Sequence, residues 1–566
     1  MTKEEKKVWL DLYPEEIPAT IDYDEKPLHE FLIDTASRYP EKKALHFLGR
    51  EMTYRDLLES SKKMASFLQS LGLEKGERVA IMLPNSPQSI IGYYGALMTG
   101  AIVVQTNPLY TERELEYQLK DSGATYMICL DMLFPRVKTV KNQTDLQHVI
   151  VTSMKDYLPF PKNVLYPFVQ KKQGQHPGKI EQTENVHHWK QVLKQSGDGV
   201  KQVDIDPKED LALLQYTGGT TGFPKGVMLT HLNLVANTQM SKAWLYKVKD
   251  GEGVTLGALP FFHVYGMTSV MNFSVMMGQK MILMPKFDPE EILKMIEKER
   301  PSLFPGAPTM YIGLLNHPKI KDYDLSSIEA CISGSAPLPV EVQDQFETIT
   351  GGKLVEGYGL TESSPVTHAN FIWGDRVSGS IGVPWPDTDS KIFRTDTMEE
   401  AEVGEVGEIA VKGPQVMKGY WNRPEETEKV LKDGWLFTGD MGYMDERGYF
   451  YVVDRKKDMI IAGGYNIYPR EVEEVLYEHE AVQEAAVVGV PDPYRGETVK
   501  AFLVLKESKT VSEEELDEFC RKHLAAYKVP RIYEFRDELP KTAVGKILRR
   551  KLAEEEKANQ SEENAQ

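Results

Sequence analysis

Four short stretches of this chain hold residue types that could bind and rearrange a phosphorylated ligand. The stretch TGGTTGFPKG, residues 217–226, packs four glycines, three threonines and one lysine into ten positions. Glycines let backbone amides approach an anion without obstruction, and the hydroxyls and Lys225 add donors and charge. It is not the familiar phosphate-loop pattern, which ends in Gly-Lys-Ser/Thr at a helix start. Here Lys225 follows Pro224 and precedes Gly226, and the stretch joins two apolar runs, DLALLQY and GVMLT, as a flap between strands would. YGLTE, residues 358–362, offers a ring to lie on a purine, a hydroxyl for a phosphate and a carboxylate to share magnesium with it. TGD, residues 438–440, is followed fifteen residues after Asp440 by Arg455, an acceptor and a donor that suit the two hydroxyls of a ribose. PKTAVGKILRR, residues 540–550, sets Lys546 between a glycine and a basic helix. Singly, these read equally well as a hairpin turn, a turn into a helix, a surface ion pair and a solvated cationic end. Their company in one chain is what carries information.

The elements that must position them are legible as well. Between residues 28 and 135, helical patterns (PLHEFLIDTASRYP, YRDLLESSKKMASFLQSLG, ERELEYQLKDSG) alternate with short apolar runs (RVAIMLP, AIVVQTN, TYMICL), which predicts βαβ units and parallel sheet. IIGYYGALMTGAIVV, residues 90–104, is shorter than the roughly 20 residues of a spanning helix. It reads as a buried helix, a Thr99-Gly100 turn and a buried strand. A polar excursion over 171–200 reads as loop or peripheral structure. GVMLT, TLGALP, MILMP, LFPGAP and ACISGSAPL then end in Gly, Pro or a turn, and open α/β sheets bind ligands just past such strands. From Gly404 the texture becomes short alternating strands, a β-rich subdomain. After DRKKD, residues 454–458, there is enough chain for an α+β domain of about a hundred residues. The final EEEKANQSEENAQ is too polar to pack. The fold class is therefore α/β: a large N-terminal domain of mixed and parallel sheets flanked by helices, a β-rich subdomain, and a small mobile α+β C-terminal domain.

Composition narrows the function. A net charge of −18 disfavours a dedicated nucleic-acid binder. Cys129, Cys331 and Cys520 form no CxxC or Cys/His cluster, so neither a disulfide framework nor a zinc site is indicated, and a reducing cytoplasm fits. MTKEEKKVWLDLYP lacks an apolar core of signal-peptide length, so export is not expected.

In this order and spacing the four stretches resemble the adenylate-forming superfamily of acyl-CoA synthetases, adenylating luciferases and peptide-synthetase adenylation domains, over residues 28–552. LPFFHVYG (259–266), SGSAPL (333–338) and GGYNIYPREVE (463–473) extend the resemblance. The stretch from DGWLFTGD through AGGYNIYP, residues 433–469, looks like the signature of fatty-acyl-CoA synthetases, and the whole chain is most similar to the bacterial long-chain fatty-acid–CoA ligase family. The resemblance implies an ATP-dependent ligase that forms acyl-AMP from a fatty acid and passes the acyl group to coenzyme A, releasing AMP and pyrophosphate, with Mg2+ as cofactor. It implies an AMP- and acyl-binding domain over 1–454, a hinge over 455–458 centred on Lys457, a C-terminal domain over 459–552 and a disordered tail over 553–566. Lys225 and the hydroxyls of Thr217, Thr220 and Thr221, with Gly218, Gly219 and Gly222 of the same loop, would hold the β- and γ-phosphates. Thr361 would meet the α-phosphate, Glu362 magnesium, and Lys546 both the carboxylate and the α-phosphate. Asp440 and Arg455 would bind ribose, while Gly334, Ser335, Ala336, Gly357 and Tyr358 would bracket adenine. Rotation about the hinge would replace Lys546 by the thioester-forming loop Gly463, Gly464, Tyr465 and Asn466.

Other expectations rest on less. By resemblance His263 gates the acyl carboxylate; beside Phe261, Phe262 and Tyr265 it is otherwise a satisfied core residue. Arg521, Lys522 and Lys528 are candidate contacts for coenzyme A phosphates. The glycine-rich FPGAPTMY (304–311), Gly266 and Met267 could wall an acyl tunnel or simply allow tight sheet packing. YLPFPKNVLYPFVQKK (157–172) is either a folded-back core segment or a contact with a membrane surface. The expected partners are fatty acid, ATP and coenzyme A, with no nucleic acid; peripheral contact with the inner membrane face and a homodimer stay open. Competing readings are a medium-chain or aryl acyl-CoA ligase, an acyl-AMP ligase loading a carrier-protein thiol, and a non-catalytic acyl- or nucleotide-binding regulator. No carrier-like domain follows residue 552, and a regulator would be expected to lack Lys225, Glu362 or Lys546, all of which are present.

Overall fold

A computed structural model of the protein describes residues 7–172, 180–195, 197–217, 224–462, 465–492, 495–542 and 545–563. The run at 90–104 folds as its composition dictates. Helix Pro87–Met98 is buried on every side, as an all-round apolar helix must be, and is capped by reciprocal bonds between Ser86 and Ser89. The turn follows, and strand Ile102–Gln105 is wholly buried. That strand pairs in parallel with Arg78–Met82 on one side and Leu211–Thr217 on the other. Tyr126–Leu130, His148–Thr152 and Val186–His188 extend the parallel set. Lys225–Thr230 and Gly419–Tyr420 close the opposite edge in antiparallel pairing, completing an eight-stranded sheet. The last parallel strand and the buried Trp189 and Val192 after it lie within the excursion expected to be loop or peripheral, so part of it joins the sheet edge.

A second sheet orders Val254–Gly257, Lys280–Leu283, Lys43–Phe47 and Arg50–Thr53. Bridges through Leu303 link it to Ala330–Ser333, whose parallel neighbour is Lys353–Gly359. The β-rich region is an antiparallel sheet of Asp389–Phe393, Gly407–Lys412, Leu431–Lys432, Trp435–Met444 and Phe450–Arg455. Most of this body shares one apolar core that runs from Trp9 to Phe450, and the eight-stranded sheet contributes to a second around Met82, Val104 and Val149.

The C-terminal body has cores of its own, one around Ile460, Val472 and Leu516 and another around Phe502 and Leu552. Its sheet joins Ile460–Ala462, Tyr465–Ile467, Val482–Asp492, Gly496–Leu505 and Ile532–Phe535, covered by helices Pro469–Glu478 and Glu513–His523. Residues 456–458 form the turn between the two bodies. The tail differs from expectation: helix Arg549–Glu563 runs through most of it. The acids that looked too polar to pack are neutralised by cations of the sheet, Glu555 by Arg536 at 2.8 Å and Glu556 by the buried Lys500 at 2.7 Å. Among the described residues no helix is long and apolar enough to cross a membrane.

Candidate active site

The fifteen-residue spacing of Asp440 and Arg455 has a simple origin. Strands Trp435–Met444 and Phe450–Arg455 form a hairpin whose register puts the two directly opposite. Arg455 Nε lies 2.9 Å from Asp440 Oδ1, and the buried Asp440 accepts a second bond at Oδ2 from the Tyr358 hydroxyl at 2.6 Å. Tyr358 and Gly357 sit near the end of strand Lys353–Gly359. SGSAPL leaves the parallel neighbouring strand, and its Gly334 donates to Gly306 O at 3.0 Å. A Cβ on Gly334 would stand 3.0 Å from the ring of Tyr265, so LPFFHVYG and SGSAPL meet face to face. The purine- and ribose-side residues singled out in the sequence thus converge at adjacent strand ends.

Thr361 and Glu362 begin the short 3-10 turn Thr361–Ser363 that follows. Glu362 Oε1 accepts from the Tyr420 hydroxyl at 2.8 Å, and Lys225 Nζ lies 5.0 Å above the Tyr420 ring. Lys225 is also ion-paired with Glu426 of helix Pro424–Val430. Thr217 and Lys225 face each other as the last and first residues of paired strands, so the Gly/Thr stretch is anchored at both ends by the large sheet. Gly218, Gly219, Thr220, Thr221 and Gly222 lie outside the described residues, as do Gly463 and Gly464. Of Tyr465 and Asn466 only the backbone is described, in strand Tyr465–Ile467.

Lys546 arrives from the other body. It ends a tight turn in which its N–H donates to Thr542 Oγ1 at 3.1 Å and its carbonyl accepts from Thr542 N at 2.8 Å. Gly545, at φ +79°, is the point of contact: a Cβ there would collide with Thr309 Oγ1 of the large body. Lys546 is accessible to water yet ringed by protein groups. The Arg455 guanidinium, and then crowding by protein, hold its ammonium down to about 7 against the pull of Asp440. His263 faces the same space. Burial first, and Lys546 second, hold its ring down to about 4, so it is neutral near pH 7. Its Nδ1 has no hydrogen-bond partner among the described residues.

Behind this convergence lies a polar joint that sequence reasoning missed. Asp454, immediately before Arg455, accepts from Arg549 Nη1 at 3.0 Å and from Arg470 N at 2.7 Å, both of the C-terminal body. Arg549 also pairs with Glu473 of its own body. Arg470 reaches Glu356 of the large body at 3.5 Å, and both side chains are buried. Burial pushes the Glu356 carboxyl up to about 7. Asp454 and Arg549 stand 95 positions apart, so no local pattern could have paired them. Tyr420 and Glu426 were missed for the same reason.

On the acyl side the structure favours one of the two readings given for the glycines. A Cβ on Gly266 would run into the carbonyls of Leu259 and Pro260, and one on Gly306 into the ring of Tyr311. These glycines permit close packing and do not leave tunnel space. A small cavity of about 20 Å³ does lie nearby, lined mainly by apolar groups including Leu303, Pro305 and Ile332. Met267–Asn272 forms a π-helical stretch just after His263, an irregularity frequent at functional sites. Of the candidate coenzyme A contacts, Arg521 is paired with Asp517 and Lys528 with Glu471.

Two bodies joined by a short turn, with Tyr358, Asp440, Arg455 and Glu362 gathered at strand ends, fit an adenylate-forming architecture, and sequence comparison agrees. Residues 32–421 match the AMP-binding enzyme family and residues 471–546 the AMP-binding enzyme C-terminal domain. The chain belongs to the AMP-binding enzyme family. It is 61% identical to the long-chain-fatty-acid–CoA ligase of Bacillus subtilis, over 98% of this chain and 99% of that one. Among solved structures it is similar to the anthranilate CoA ligase AuaEII in complex with anthranoyl-AMP, with 28% identity, a TM-score of 0.85 and coverage of 96% of this chain and 100% of that one. It is also similar to ATP-bound MatB from Rhodopseudomonas palustris, with 30% identity, a TM-score of 0.81 and coverage of 93% and 98%. The apo form of MatB, at the same identity and coverage, gives 0.72.

Proposed function

We propose that the protein joins a long-chain fatty acid to coenzyme A through an acyl-AMP, consuming ATP and releasing pyrophosphate and AMP. A carboxylate oxygen of the acid attacks the α-phosphorus, and the bond to the bridging oxygen of pyrophosphate breaks. The thiol of coenzyme A then attacks the acyl carbon, gives its proton to solvent and expels AMP. The observation that carries this reading is the placement of Lys546, delivered by one body beside Arg455, Asp440 and His263 of the other. The first step brings an anion to a polyanion, so its barrier falls chiefly through fixed positive charge.

In this reading Lys546 bridges the acyl carboxylate and the α-phosphate, which Thr361 also meets. Asp440 and Arg455 take the ribose hydroxyls, and the Tyr358 hydroxyl keeps the Asp440 carboxylate oriented for them. The ring of Tyr358, Gly357 and the backbone of residues 334–336 bracket adenine. Lys225 exchanges Glu426 for the β- and γ-phosphates, which Thr217, Thr220 and Thr221 share. His263, being neutral, does not repel or trap the incoming carboxylate as a charge and serves as a gate. Rotation about Lys457 then withdraws Lys546 and presents residues 463–466 for the thiol step. The higher similarity to the ATP-bound form of MatB supports reading the arrangement described here as the one for adenylation.

Magnesium enters as part of the substrate. Among the described residues no group of three or more His, Cys, Asp or Glu could hold a metal ion. Glu362 is a lone carboxylate, which fits an ion that takes one or two protein carboxylates and completes its shell with substrate phosphates and water. A cytoplasmic location fits the three cysteines, which are buried and unpaired. Peripheral contact with a membrane and a homodimer belong to this reading as further proposals.

The test is pyrophosphate release across acids from acetate to oleate, with and without coenzyme A. Long-chain acids should give the highest kcat/KM, and AMP, not ADP, should appear. Lys546→Ala should slow adenylation by roughly a hundredfold to a thousandfold, while thioester formation from supplied acyl-AMP is largely kept. Equal loss of both halves would contradict the hinge assignment.

A further inference from the structure

Helix Lys162–Lys172 is built inside out. Asn163, Tyr166 and Gln170, three polar-tipped residues at helical spacing, turn toward the protein, and Gln170 is buried. The outward face carries Val164, Leu165, Phe168 and Val169, which are 57%, 52%, 70% and 46% exposed. A surface helix bathed only in water shows the opposite arrangement, with its apolar stripe inward. The oily face does not stop at the helix. Phe160 just ahead of it is 83% exposed, and Leu48, at the tip of the hairpin formed by Lys43–Phe47 and Arg50–Thr53, is 37% exposed. Lys162 ties the two together by donating from Nζ to Leu48 O at 3.0 Å. The folded-back core expected for 157–172 therefore holds only at its start, where Tyr157 and Leu158 are buried.

Charge says what this face meets. Lysines 162, 171 and 172 stand at the two ends of the helix, and no acidic residue occurs between positions 157 and 172, in a chain whose net charge is −18. A contiguous apolar patch with a polar rim marks an interaction site. A second copy of the chain docked on the same patch by two-fold symmetry would bring lysine rim against lysine rim. An anionic bilayer satisfies both features: apolar side chains enter the boundary between headgroups and acyl chains, and lysines meet lipid phosphates.

We propose that helix Lys162–Lys172, with Phe160 and Leu48, seats the protein on the surface of an anionic lipid bilayer. Such a seat would let the ligase proposed above collect an acid dissolved in the membrane, although the surface argument uses no part of that reading. Flotation with vesicles of phosphatidylcholine and phosphatidylglycerol, against vesicles of phosphatidylcholine alone, tests it without ATP or coenzyme A. The protein should float with the anionic vesicles, and less so at high salt. Val164→Asp with Phe168→Asp should reduce the bound fraction roughly tenfold or more, and Lys171→Glu with Lys172→Glu should do the same on anionic vesicles only. Because these side chains are exposed, the variants should keep wild-type circular dichroism and activity on octanoate, a soluble acid. Wild-type protein that stays unbound, or an aspartate variant that floats as well as wild type, would overturn the proposal. So would light scattering showing that the aspartate pair converts a dimer to a monomer while wild type ignores vesicles. Ligase activity is read separately, so failure of either proposal leaves the other standing.

Discussion

Lys546 and Arg455 are two cations held against one another, and their repulsion is the main reason the lysine is held down to about 7. The triphosphate of ATP should reverse that balance and restore the proton. At pH 8 free Lys546 is mostly neutral, so binding of ATP should take up a proton, approaching one per site; at pH 6 it is already charged and uptake should vanish. Calorimetry of ATP binding in buffers of different ionisation enthalpy reads this directly, and proton-neutral binding at pH 8 would contradict the assignment. Sequence supplied Lys546, Arg455, Asp440, Tyr358 and Glu362 as candidates only through the order and company of the runs that hold them, each of which alone reads as an ordinary turn, ion pair or cationic end. The same logic left Gly266 open between tunnel wall and tight packing, since a glycine leaves one mark whether it opens space for a ligand or for a neighbouring carbonyl. Tyr420 and Glu426, which touch Glu362 and Lys225, carried no mark at all.

At the scale of elements, the turn that carries Lys546 reaches the large body through Gly545. Gly545→Ala would meet Thr309 and place a side chain at φ +79°, where an L-residue costs about 1–2 kcal/mol even in open space. Adenylation should fall roughly tenfold or more, while thioester formation from acyl-AMP, for which the proposed rotation moves the turn elsewhere, should not. Asp454→Asn should show the same split, since it weakens the bonds that Arg549 and Arg470 make across the hinge turn; a parallel loss of both half-reactions would mark a merely structural role. Strands and helices were largely readable because their periodicities are local: the buried helix Pro87–Met98 and the amphipathic Pro469–Glu478 follow from apolar spacing alone. The basic start of the C-terminal helix was readable as well, but its run through the tail was not, because Glu556 and Glu555 are held by Lys500 of strand Gly496–Leu505 and Arg536 just past strand Ile532–Phe535, cations that no window around residue 555 contains.

For the whole molecule, separate cores make the C-terminal body a unit that can move as one. Removing one member of a buried ion pair costs about 3–5 kcal/mol when the other stays buried. Glu356→Ala would take from the buried Arg470 a carboxylate across the joint and leave it Glu474 of its own body and the Val452 carbonyl, so the cost should fall below that figure, and the rotation proposed above would give Arg470 a way back to water. The variant should therefore populate the opened arrangement without unfolding. Fluorescence transfer between labels on the two bodies should change while the unfolding midpoint of the large body does not; a lowered midpoint with unchanged transfer would refute this. The division into two bodies was visible in sequence as a change of texture at DRKKD, but how they meet depends on Glu356, Arg470, Asp454 and Arg549, which only the folded chain brings together.

Asp454 and Arg455 are consecutive, one facing the joint and the other, in the function proposed above, the sugar of the nucleotide. Whatever factor by which closure tightens the grip on ATP is also the factor by which ATP favours closure, because the two equilibria share a thermodynamic cycle. Expelling AMP would then loosen the joint at the same peptide bond, so that each departing nucleotide readies the molecule to reset for the next.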